Sequence, residues 1–160
     1  MKKLFLLLML FPILLVGCKA EKGGQTVSGF SLNAAVSWND FSYECSVVSS
    51  SDAVTVTVQS TSAAGLVITY NGKSVTMSYE DMDFTQNNKN FDPTNPAIAI
   101  YDVVQYINGS GDLQPQTTKD GFLVKGETAL GAFTLETDKE LLPVSLSFSD
   151  AGLTFRFYRS

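Results

Sequence analysis

The sequence predicts a mainly β fold of the α+β class: an antiparallel sheet, buried on one side and wet on the other, with one covering helix. Residues 54–58 (Val-Thr-Val-Thr-Val) alternate apolar and polar without a fault, and the same period of two returns in residues 66–70, 75–79, 144–148 and 153–157. Such alternation, with Thr and Ser on the second face, belongs to half-buried antiparallel strands. Turn residues separate the runs: Asn71-Gly72, whose pair suits a type I′ hairpin, Lys119-Asp120-Gly121, and Ser149-Asp150-Ala151-Gly152. Only one stretch changes period. Asn95 can cap a helix that starts at Pro96, apolar residues follow at Ala97, Ile100, Tyr101, Val104 and Ile107, and Asn108-Gly109 stops it. A polar loop, residues 86–94, leads into this helix.

The N-terminus carries a different kind of information. Lys2 and Lys3 precede thirteen residues, Leu4 to Val16, whose apolar run is interrupted only by Pro12, and Leu15-Val16-Gly17-Cys18 closes the stretch. As a helix it would reach ~20 Å, short of the ~30 Å hydrocarbon core, so it reads as a removable signal. The closing tetrapeptide resembles the lipobox of bacterial prolipoproteins. That resemblance implies cleavage between Gly17 and Cys18, diacylglycerol on the Cys18 thiol, and a mature chain beginning at Cys18. Two or three acyl chains hold a protein firmly where one holds marginally. The expected location is extracytoplasmic, lipid-anchored to a cell membrane or an outer membrane. The expected divisions are a signal at residues 1–17, a lipidated N-terminus with a Gly-rich spacer at 18–29, and a single β-rich domain at 30–160.

Without residues 1–17 the chain keeps nine of its eleven basic residues and all sixteen acidic ones, a net charge of −7. This excludes nucleic acid as an expected partner, because phosphate binding needs clustered Lys and Arg. It also argues against a polybasic grip on anionic lipid. Cys45 is the second of two cysteines; with Cys18 lipidated it has no partner for a disulfide, and it reads as a small buried apolar residue.

Ile68-Thr-Tyr-Asn-Gly-Lys-Ser-Val-Thr-Met-Ser-Tyr79, the closing run from Gly131 to Phe148, and a last strand ending in Arg156-Phe157 resemble the LolA/LppX-type carriers of lipoproteins and lipids. The likeness covers roughly residues 36–158. It implies a curved antiparallel sheet forming an open half-barrel, with a helical segment over its concave face, and the strand runs themselves number about eight or nine.

The chain has no histidine, which removes Ser–His and Cys–His catalysis and most metal sites together. No Gly-rich phosphate loop is present. Glu80-Asp81-Met82-Asp83 lacks the glycine and distal glutamate of a calcium loop and reads as a solvated strand end. No catalytic residue, metal site or cofactor is therefore expected. The aromatics Tyr70, Tyr79, Phe133, Phe148, Phe155 and Phe157 fall on the inward parity. The expected function is non-catalytic binding of a lipid, an acyl chain or a lipoprotein tail between sheet and helix, with Met77, Tyr79, Ile100, Val104, Ile107, Phe133 and Phe148 lining the groove. The competing expectation is a fully packed, tethered module that binds an envelope protein partner.

Overall fold

The computed structural model describes residues 27, 29–110 and 113–159. Gly17, Cys18, the signal and most of the spacer lie outside them. The described chain folds as eleven strands and one α-helix. Its first six strands are β1 (Phe30–Trp38), β2 (Phe41–Ser49), β3 (Val54–Val58), β4 (Val67–Tyr70), β5 (Ser74–Tyr79) and β6 (Met82–Asn87). The helix α1 (Pro96–Gly109) follows. Then come β7 (Gln116–Thr117), β8 (Gly121–Thr128), β9 (Gly131–Asp138), β10 (Pro143–Phe148) and β11 (Leu153–Tyr158).

All the strands join one antiparallel sheet in the order β6-β5-β4-β3-β2-β1-β11-β10-β9-β8-β7. The sheet is curved and open, a half-barrel whose two edges are β6 and β7. The chain leaves one edge after β6 and must reach the other at β7. The helix makes that crossing over the inner face, against β3, β4 and β8.

The helix starts where the sequence places it. The Asn95 side chain accepts hydrogen bonds from the Ala97 and Ile98 amides at 3.1 and 3.4 Å, and Pro96, with no amide to satisfy, occupies the first position. Ala97, Ile98, Ala99, Ile100, Val103, Val104 and Ile107 are buried, so apolar surface wraps more than one stripe of the helix. They pack on the inward residues of the sheet, among them Val36, Val47, Val54, Val56, Val75, Leu135, Leu146, Phe148, Leu153 and Phe155. Burial of this apolar surface, at about 25 cal/mol per Å², is the main force closing helix onto sheet.

Four details depart from the sequence pattern. Residues 82–87 form a strand, so the polar loop begins later, with a 3-10 turn at Asn88–Asn90. Every residue of β6 is exposed, and a strand with no buried face leaves no alternation to detect. The count rises further with β7, only two residues long. The β4–β5 turn is centred on Gly72 and Lys73 and not on Asn71-Gly72: only Gly72 takes a positive φ (+83°), while the Asn71 side chain accepts from the Lys73 and Ser74 amides. Finally, a register shift between Pro143 and Ser145 turns Val144 outward, 44% exposed, while Leu146 and Phe148 stay inside.

Candidate functional site

The seven residues expected to line a groove divide into two groups. Ile100, Val104, Ile107, Phe133 and Phe148 are buried, at 1–5% exposure, within one continuous core. Phe133 is held by an edge-to-face contact with Tyr106 of the helix (5.4 Å between centroids, 86° between planes) and a tilted contact with Phe148 (6.3 Å). Met77 and Tyr79 are half-buried on β5, with Met77 packed at the margin of the core. The first group holds the helix to the sheet. The second lies where the inner face runs out toward the β6 edge.

At the C-terminal end of α1 a narrow slot opens between Val27, Ile107, Leu113, Pro115, Phe122, Val124, Thr137 and Leu141. Its free volume is ≈ 10 Å³, room for about one water. The Thr137 hydroxyl is buried there without a hydrogen-bond partner among the described residues. A second hollow, of ≈ 340 Å³, lies on the β7–β8 turn, where Lys119, Asp120 and Glu136 give it mixed charge.

An aromatic-lined space lies at the other end of the helix. An open groove of ≈ 340 Å³ runs between the β1–β2 hairpin and the segment that leads into α1, lined by Trp38, Phe41, Tyr43, Phe91, Asp92, Thr94, Asn95 and Pro96. Trp38 and Phe41 are paired across the hairpin that they close. Both have the inward parity of Val36 and Cys45, yet they are 43% and 54% exposed because the helix begins short of them. Phe41 leans on Tyr43 with ring centroids 5.8 Å apart. Burial, and secondarily the neighbouring Cys45, pushes the Tyr43 phenol far above its usual range, so it stays neutral.

The polar wall of the groove is already committed. Asn95 caps the helix, and the Asp92 carboxylate accepts from the Thr94 amide and hydroxyl, both at 2.8 Å, which holds its pKa below the ordinary carboxylate value. The groove thus offers aromatic area and a few spare lone pairs, a composition suited to apolar ligands. Among the described residues no three His, Cys, Asp or Glu side chains stand together as a metal site. No helix among them is long and apolar enough to cross a membrane.

Sequence reading did not single out Trp38, Phe41, Phe91 or Pro96 as site residues. The available signal was Trp38-Asn39-Asp40-Phe41, two aromatics flanking a hairpin turn on the inward parity. Parity gave their direction but not how far the helix would reach.

No family model matches the chain, and no curated protein matches it either. Among solved structures it is similar to a LolA superfamily protein from Nitrosomonas europaea, with 15% identity and a TM-score of 0.36. The match covers 82% of this chain and 64% of that one, so the chain spans under two thirds of that protein's length.

Proposed function

We propose that the chain is a non-catalytic binding domain, held by a lipid on Cys18 at the outer face of a bacterial membrane, that takes an apolar ligand such as an acyl chain at the aromatic groove. The observation that carries the reading is the wet aromatic pair Trp38 and Phe41 above a ≈ 340 Å³ hollow floored by Tyr43, Phe91 and Pro96. Large aromatic surface left in water at a concave site releases free energy when covered, and a volume near 300 Å³ suits a small apolar group. The groove sits against the first turn of α1, so a longer chain could continue only by displacing the helix from its packed face.

Trp38 is the only tryptophan, which makes it a built-in reporter. Titration with a fatty acid should shift Trp38 emission to the blue and protect it from acrylamide, and Phe41→Ser should abolish the response. Metabolic labelling with a fatty-acid analogue tests the anchor: Cys18→Ala should lose the label and accumulate as precursor. Label retained by that variant would sink the lipid anchor, and silent Trp38 emission would sink the apolar ligand.

One observation favours a second reading. The inner face under α1 is filled by its own side chains, and the slot at the helix end admits about one water. A tethered module with a packed interior would use the same exposed aromatics to hold a protein partner, because Trp and Tyr are enriched in the centres of such interfaces. Failure of lipid titration, together with protection of Trp38 by an envelope protein, would establish it.

A further inference from the structure

The β6 edge is built to pair with another strand. It has six residues in unbroken register with β5, contains no proline, lysine or bulge, and is exposed along its whole length. Native sheets usually blunt such an edge. The opposite edge does so by brevity, since β7 is two residues long and follows Pro115.

Which backbone groups β6 offers can be worked out. Tyr79 and Met82 close a two-residue hairpin, and the closing pair of such a hairpin exchanges hydrogen bonds. Bonding then alternates, so Met82, Phe84 and Gln86 turn their amides and carbonyls toward β5. Asp83, Thr85 and Asn87 turn theirs outward. The side-chain bond between Thr76 and Thr85 (2.9 Å) fits the closer, non-bonded kind of pair that this alternation requires.

The edge also carries opposite charges at its two ends. Glu80, Asp81 and Asp83 lie at the hairpin end, and Lys73 and Lys89 lie at the other, all exposed. The Asn88 amide donates to the Lys73 carbonyl, so the backbone next to Lys89 lies against that of Lys73 at this end. A strand with this polarity is complementary to itself run antiparallel.

We propose that β6 pairs with β6 of a second copy of this chain across a two-fold axis at Thr85. Thr85 faces Thr85 of the second copy, Asp83 faces Asn87, and each outward amide and carbonyl gains a partner. The acidic turn of each copy comes beside Lys89 of the other, twice by symmetry. On the inner face the two Phe84 rings, now 49% exposed, become diagonal neighbours within aromatic reach of about 7–8 Å. A one-residue slip would turn the bonding groups away from each other, so the hydrogen-bond parity and the charges together select the register.

The test uses the full chain, purified in a nonionic detergent. Sedimentation should show a dimer that weakens as salt rises. Thr85→Pro removes an outward amide that the monomer does not use, so it should abolish the dimer and leave the monomer folded by circular dichroism. Asp81→Lys alone should weaken the dimer roughly tenfold, two exposed ion pairs each contributing several-fold, and Asp81→Lys with Lys89→Asp should restore it. Thr85→Cys should form a covalent dimer under mild oxidation, because facing bonded residues lie about 5.5 Å apart, within disulfide range. A chain that stays monomeric at about 1 mM would overturn the proposal. So would a dimer indifferent to both Thr85→Pro and the charge reversals, or a Thr85→Cys adduct formed only with a different protein.

Discussion

The Asn108 side chain brackets the backbone of Val27: its Oδ1 accepts from the Val27 amide at 3.1 Å and its Nδ2 donates to the Val27 carbonyl at 3.3 Å. The last turn of α1 thereby clasps the chain just before β1, across 81 residues of sequence. Asn108→Ala should cost about 1–2 kcal/mol, since each of the two bonds is worth about 1 kcal/mol in a partly wet setting. Asn108→Asp should be no better, because it keeps the acceptor but places a negative charge against the Val27 carbonyl and the negative end of the helix. Urea titration measures both. Exchange of the Val27 amide should quicken in each variant, and an unchanged rate would mean that the clasp does not hold.

The Tyr106 ring of the helix lies directly over Gly126 of β8. A Cβ there would lie 2.5 Å from the Tyr106 ring and 2.7 Å from the Phe133 ring. Glycine inside a strand commonly marks such an approach. Gly126→Ala should force apart the edge-to-face pair and destabilise the fold by about 1–3 kcal/mol. Trimming the neighbour with Tyr106→Ala should make room, so the two substitutions together should cost less than the sum of each alone. Strict additivity would place the strain elsewhere.

Cys45 is fully buried, with its thiol donating to the Ala34 carbonyl at 3.7 Å, and burial pushes it from its ordinary 9.0 up to about 12. The sign follows from proton binding. Between these two values the unfolded chain loses the thiol proton while the folded chain keeps it, so the stability present below pH 9 falls as pH rises toward 12. The raised phenols of Tyr43 and Tyr70 act in the same direction. Urea midpoints should therefore drop above pH 9, and Cys45→Ala should flatten the slope while lowering stability at neutral pH through the cavity it leaves. Maleimide should label Cys45 slowly in the native chain and rapidly in denaturant.

These particulars show what the sequence made legible. The helix was readable to its cap because Asn95 and Pro96 announce it locally, and β3 because both of its faces obey one rule. β6 is unreadable because it has no buried face, and the bulge at Val144 because the sequence keeps alternating through residues 144–148 while the structure turns Val144 outward. Strand alternation turns Phe133 and Phe148 inward, the helical period does the same for Ile100 and Val104, and all four are buried. Whether inward meant groove or core depends on how tightly helix meets sheet, which no periodicity records. Conversely, Trp38 and Phe41 point inward and stay wet only because α1 begins at Pro96, a fact of reach and not of pattern.

That contrast yields the most discriminating pair of substitutions. Val104 is 5% exposed in the core beneath the helix, whereas Phe41 is 54% exposed at the groove. Val104→Asp buries a charge without a partner and should destabilise the fold by several kcal/mol. Phe41→Ser removes a half-wet ring and should cost under about 1 kcal/mol. If the groove is where an apolar ligand binds, Phe41→Ser should lose uptake of a fluorescent fatty acid at nearly unchanged stability. Val104→Asp should lose it only in proportion to the fraction unfolded. The opposite outcome is equally concrete: a Val104→Asp chain that stays folded yet binds nothing, beside a Phe41→Ser chain that binds normally, would move the ligand beneath the helix and require α1 to lift from the sheet to admit it.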